Sequence, residues 1–206
     1  MKTTVIAFLM LFSLSALAQG QYEAGMKKAF DLWDEDKLTE AAYLFERISK
    51  AEADNWLPPF YAGYVLVLSS FEIKEEAKLK SQLDKAMDLL NEAANRSPEN
   101  PEIIIVKALH NTSYINFDGQ KYGMLMSGKN AGLYDKALKL APDNPRVILA
   151  KAEWDMGSAR FFGTSTAPFC KDVERALKMF KEQPESEGFE PSWGKERAEK
   201  ILEGCD

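Results

Sequence analysis

Two stretches of this chain are copies of one another: Ser97-Pro98-Glu99-Asn100-Pro101-Glu102-Ile103-Ile104-Ile105-Val106-Lys107-Ala108 and Ala141-Pro142-Asp143-Asn144-Pro145-Arg146-Val147-Ile148-Leu149-Ala150-Lys151-Ala152. Pro98, Asn100, Pro101, Ile104, Lys107 and Ala108 recur as Pro142, Asn144, Pro145, Ile148, Lys151 and Ala152, an offset of 44 residues. A repeat of this length signals stacked supersecondary units. The segment also explains itself chemically. The first proline stops a helix, because it has no N–H to donate and clashes with the preceding turn. Asn100 or Asn144 then caps the next helix. The second proline stands at the first helical position, where its missing N–H costs nothing. An apolar helix begins at once.

Outward from these junctions the pattern stays helical. Amphipathic series such as Ala86, Leu90, Ala93 and Tyr134, Ala137 run into each first proline. Earlier, Gly25, Ala29 and Leu32 are followed by a charged turn, Asp34-Glu35-Asp36-Lys37, and then by Ala41, Phe45 and Ile48. The periodicity predicts nine helices, near 21–34, 37–50, 56–73, 78–96, 101–117, 122–140, 145–159, 168–182 and 192–204. Glycines 123, 128 and 132 weaken the sixth. No alternating apolar and polar stretch argues for a sheet.

The chain opens with Lys2, an apolar run Val5–Ala18 and the small-x-small ending Ala16-Leu17-Ala18. That layout predicts a signal peptide over 1–18, cleaved after Ala18, and hence a periplasmic or secreted protein. The apolar run is short for a bilayer span, and no other segment approaches that length. Residues 19–206 are then one domain, large enough for a substantial core. The formal net charge of −6, with scattered Lys and Arg, opposes binding to nucleic acid or anionic lipid, which need a basic face. The two cysteines, Cys170 and Cys205, favour a disulfide in an exported chain. If a last helix, with Lys195, Glu196, Glu199 and Lys200 outward and Ala198, Ile201 and Leu202 inward, runs antiparallel to its predecessor, Cys205 falls beside Cys170.

The spacing of small residue, aromatic, small residue and proline resembles the second helix of a tetratricopeptide repeat, with Gly63, Ala108 and Ala152 at the small position of the first helix. The resemblance spans residues 22–184. The period departs from it, being about 44 rather than the family's usual 34 or so; HEAT or armadillo repeats are the second reading. It implies an all-α, right-handed solenoid of antiparallel helix pairs with a C-terminal capping helix. It also implies a concave groove lined by first helices: Met26, Phe30 and Trp33; Phe60, Tyr64 and Val67; Ile105, Leu109 and Thr112; Leu149, Glu153 and Met156. Met26, Phe30 and Tyr61 stand where some members clamp a C-terminal carboxylate, which disfavours a clamp.

The residues between the helices of a unit supply another surface. Tyr114–Gly123 and Arg160–Thr166 combine aromatics with glycine and read as inserted loops, and such loops often carry function. Chemistry is harder to find. His110 is the lone histidine, set in an apolar helix, and no phosphate loop, nucleophile elbow or H-E-x-x-H helix occurs. We therefore expect no enzyme activity, cofactor or metal. Asn111-Thr112-Ser113 matches a glycosylation sequon without further support. The first expectation is a protein–protein interaction scaffold that binds a protein or peptide through Phe30, Trp33, Phe60, Tyr64, Leu109, Tyr114, Tyr122, Phe161 and Phe162. The second is a small-ligand or glycan binder that uses the loop aromatics.

Overall fold

A computed structural model describes residues 20–183 and 188–205. Among these residues the fold is all-helical, with no strand. Helix α1 occupies residues 20–34. It is followed by α2 (Leu38–Ala51), α3 (Leu57–Ser70), α4 (Glu76–Arg96), α5 (Pro101–Phe117), α6 (Gly119–Leu140), α7 (Pro145–Phe161), a 3-10 turn (Ala167–Phe169), α8 (Cys170–Glu182) and α9 (Lys195–Leu202). Consecutive helices pack from α2 to α9, and α3 also packs on α5 and α5 on α7. The proposed signal peptide lies outside the described residues. Among those described, no helix is long and apolar enough to cross a membrane.

The duplicated stretches open α5 and α7, each 17 residues long. Asn100 Oδ1 accepts from the Glu102 amide, and Asn144 Oδ1 from the amides of Arg146 and Val147. Both prolines sit at the first helical position. The period returns in side-chain contacts. Glu102 and Arg146, the same position in the two copies, form an ion pair at 2.8 Å with side chains only 7% and 13% exposed. Asn144 Nδ2 donates to the same Glu102 oxygen. Glu153 pairs with Arg197, Ser70 with Ser113, and Glu76 with Lys121 at almost the same separation.

Helix α3 is apolar all round and buried almost throughout, as a central helix must be. Its approach to α4 depends on Gly63. A Cβ there would lie 2.9 Å from Leu90 Cγ and 3.1 Å from the Ala86 carbonyl. Ala108 and Ala152, the matching positions of α5 and α7, are buried.

Several expectations change. Tyr114–Gly123 is not an inserted loop. Only Asp118 separates α5 from α6, and its Oδ1 accepts from the Lys121 amide. Between α7 and α8 a connection does remain at 162–169, with its 3-10 turn, whereas α6 holds together despite its glycines because Tyr122, Asn130, Tyr134 and Ala137 bury one face. The last helix starts at Lys195 rather than after Ser192. Gly194, in the left-handed region at φ 116°, stands before it with the Phe180 ring packed where a Cβ would be. The last helix otherwise lies as expected. Ala198 is buried, with Ile201 and Leu202 packed inward beside Val173 and Ala176, and Cys170 is bonded to Cys205.

Replacing Gly63 with valine should cost about 3 kcal/mol, because the added methyls meet the α4 backbone as well as Leu90. For a chain of this size that lowers Tm by roughly 6–12 °C. Thermal unfolding followed by circular dichroism checks it; an unchanged Tm would mean that the helices do not approach closely at this point.

Candidate functional site

Two gatherings of aromatic side chains bear on the expected site. The first is the face made by α1, α2 and α3. Phe30 stacks on Trp33 with 6.1 Å between centroids and meets Phe45 and Tyr61 edge-on. Trp33 meets Tyr64 edge-on. This is the face the sequence assigns to a groove, but it is covered. Residues 188–193 return across it: Phe189 lies parallel to Phe30 at 5.9 Å, Trp193 tilts on Tyr64 at 5.6 Å, and the Tyr61 hydroxyl donates to the Phe189 carbonyl at 2.7 Å. Burial raises the phenol pKa values of Tyr61 and Tyr64 well above the usual range.

Most of the expected groove is therefore core. Met26, Phe60, Tyr64, Val67, Ile105, Leu149 and Met156 are buried, while Phe30, Trp33 and Leu109 are half-buried against that core. Tyr114 and Tyr122 are buried too, with ring centroids 5.0 Å apart. The Tyr122 hydroxyl donates to Glu76. Lys121, Tyr122 and Lys80 together hold the Glu76 carboxyl down to about 2. Tyr122 ties α6 to α4 and Tyr114 packs on it from α5, and neither ring is presented to solvent.

The second gathering is open. Phe161 and Phe162 close α7 with 73% and 75% of their surface exposed, edge to face at 5.1 Å. Their position is fixed by a complete helix stop. The Gly163 amide bonds the Arg160 carbonyl and the Thr164 amide the Ala159 carbonyl, with Gly163 left-handed at φ 67°. That is the Schellman arrangement, and glycine suits its left-handed position. Phe161 also leans on the start of α6, where its ring edge lies 3.9 Å from where a Gly119 Cβ would be. Further along α6, Met124 and Leu125 are exposed, Met124 almost completely, and Gly123, Gly128 and Gly132 have open space above them. The sequence places Met124, Gly128 and Gly132 in a helix over 122–140 but gives no sign that this face of it is exposed.

Two hollows are less developed. One, of about 250 Å³, lies among Ser70, Ile73, Lys74, Ser113 and Asn116. The other, of about 770 Å³, is walled by Tyr22, Lys27, Leu57 and Phe189 and ends where the described residues end, at Gly20. His110 reaches neither. Its Nε2 donates to the Leu83 carbonyl at 3.1 Å and its ring packs on Tyr114. Among the described residues no three acidic, cysteine or histidine side chains converge as metal ligands would.

No family of known proteins matches the sequence, and no curated protein matches it. A solved structure does match the fold. The HusA haemophore from Porphyromonas gingivalis superposes with a TM-score of 0.79 at 20% identity, over 89% of this chain and 92% of that one. The two chains share a fold. The expectation of a protein-binding scaffold is corrected at this point. A haemophore shares this architecture, and the face that was to receive a peptide already holds residues 188–193.

Burial pushes the His110 imidazole below its ordinary pKa. The unfolded chain then binds the proton first, so His110 makes stability fall as pH drops through about 6.5, until the folded imidazole is itself protonated. His110→Gln should lose less stability than the wild type between pH 7.5 and pH 5.5 in urea denaturation. Equal losses would mean that His110 titrates freely.

Proposed function

We propose that this chain is an exported, non-catalytic carrier of a flat hydrophobic ligand of the tetrapyrrole class, built on a right-handed, tetratricopeptide-like solenoid. The supporting observation is the Phe161–Phe162 pair, two large rings held out in solvent by a helix stop on a chain that shares its fold with a haemophore. Large exposed apolar groups on a soluble chain mark contact sites. The pair offers a face and an edge at once, a geometry in which aromatic rings attract one another. Met124 and Leu125 extend the apolar surface along α6. Arg160, exposed beside the pair, is placed to meet a ligand carboxylate, a contact that guanidinium makes well.

The solenoid reading draws on the recurrence of contacts about 44 residues apart and on the packing of α3 on α5 and α5 on α7. Export draws on the leader-like residues 1–18. The acidic net charge speaks against nucleic acid as a partner. With His110 turned inward, recognition rests on the ring faces rather than on an imidazole–metal bond.

That distinction makes the reading testable. Haem and iron-free protoporphyrin should bind with affinities within about threefold of one another. Phe161→Ala/Phe162→Ala should weaken both by roughly 10- to 100-fold, since ring pairs contribute about 0.5–1.5 kcal/mol each beyond area burial. The two rings are exposed, so Tm should not move. Absorbance or fluorescence titration decides it. No saturable binding of either, or binding indifferent to the double substitution, would overturn the proposal.

A further inference from the structure

After α8 the chain doubles back onto its first half. Tyr61 and Phe189, 128 residues apart, are hydrogen-bonded. The seat is aromatic: Phe30 under Phe189, Tyr22 at its edge, and Tyr64 under Trp193. The polar fit is poorer. Trp193 Nε1 is buried without an acceptor. An unmet hydrogen-bonding group works against burial, so the ring contacts carry much of the seating of the strap.

The far end of the strap is secured differently. Gly194 turns the chain at φ 116° against Phe180. Helix α9 then follows for 8 residues and fully buries only Ala198. So short a helix does not persist without outside support. That support is the packing of Ala198, Ile201 and Leu202 on α8 together with a covalent bond: Cys205, just past α9, is bonded to Cys170 at the start of α8. The bond closes a ring that contains α8, the strap and α9, with a sequence separation of 35. Closing such a ring removes most of the freedom a detached strap would gain, an effect of roughly several hundredfold in the chain-entropy account.

We propose that the Cys170–Cys205 bond is a latch that keeps the 188–193 strap seated on α1 and α3, and that reducing it frees the strap and uncovers Phe30, Trp33, Tyr61 and Tyr64. The step balances simply. An external dithiol supplies two electrons and two protons. The S–S bond becomes two thiols, and the reductant leaves as its own disulfide. The oxidised chain has a covered aromatic face, and the reduced chain an open one. This holds whatever ligand meets Phe161 and Phe162.

Limited chymotryptic digestion of the full chain, mapped by mass spectrometry, tests the latch. Cleavage after Phe189 should be slow in the oxidised protein and at least tenfold faster after reduction or in Cys205→Ser. Cleavage after Phe45, in the core, should stay slow. Trp193→Ala, with the disulfide intact, should also speed cleavage after Phe189. An unchanged rate at Phe189 on reduction overturns the proposal. So does an equal rise at Phe45, which would mean general unfolding. If Cys205→Ser does not fold, reduction of the folded wild type carries the test alone.

Discussion

Helix α3 has no polar side to turn outward, and Gly63 is what lets its neighbour come close enough to cover it. Any side chain at 63 would hold α4 away from the apolar surface that drives folding. The requirement is repeated along the chain at Ala108 and Ala152. Small residues fix the spacing of the helices. The capped Asn-Pro junctions fix where α5 and α7 begin, and buried pairing between equivalent positions, Glu102 with Arg146, ties the start of one to the start of the other. A buried ion pair of this kind adds little net stability, but losing one partner is costly because the other charge is left uncompensated.

Much of this was legible in the residues. Proline and asparagine at helix starts act through their own backbone chemistry, so Asn100–Pro101 and Asn144–Pro145 could be placed without tertiary information. The Cys170–Cys205 pairing followed from running two helices antiparallel. Failures came where local chemistry and tertiary packing disagree. The aromatics and glycines of 114–123 argue for a loop, yet α5 runs to Phe117 and α6 starts at Gly119, and Tyr122, Asn130 and Tyr134 bury enough of one face to keep the expected helix despite its glycines. Tyr114 and Tyr122 looked like display residues because they flank that presumed loop, and they are core. The strap was invisible: 188–193 has no period, and its partners lie more than a hundred residues upstream.

The site was half legible for the same reason. Phe161 and Phe162 stood out as aromatics beside glycine, and the structure leaves them exposed. What the sequence could not convey is the helix stop behind them, made by two backbone hydrogen bonds around Gly163. Nor could it separate Phe30 and Trp33, which lie beneath the strap, from rings that meet solvent. A fold that buries most of its aromatics in its own groove leaves few for a ligand, and that scarcity gives the Phe161–Phe162 edge its weight.

The most direct measurement is a crystal structure of the oxidised protein grown with protoporphyrin. The account predicts the flat ring resting on Phe161 and Phe162, with Phe189 and Trp193 still in their seats. A porphyrin lodged between α1 and α3 in place of residues 188–193, or coordinated through a displaced His110, would contradict it.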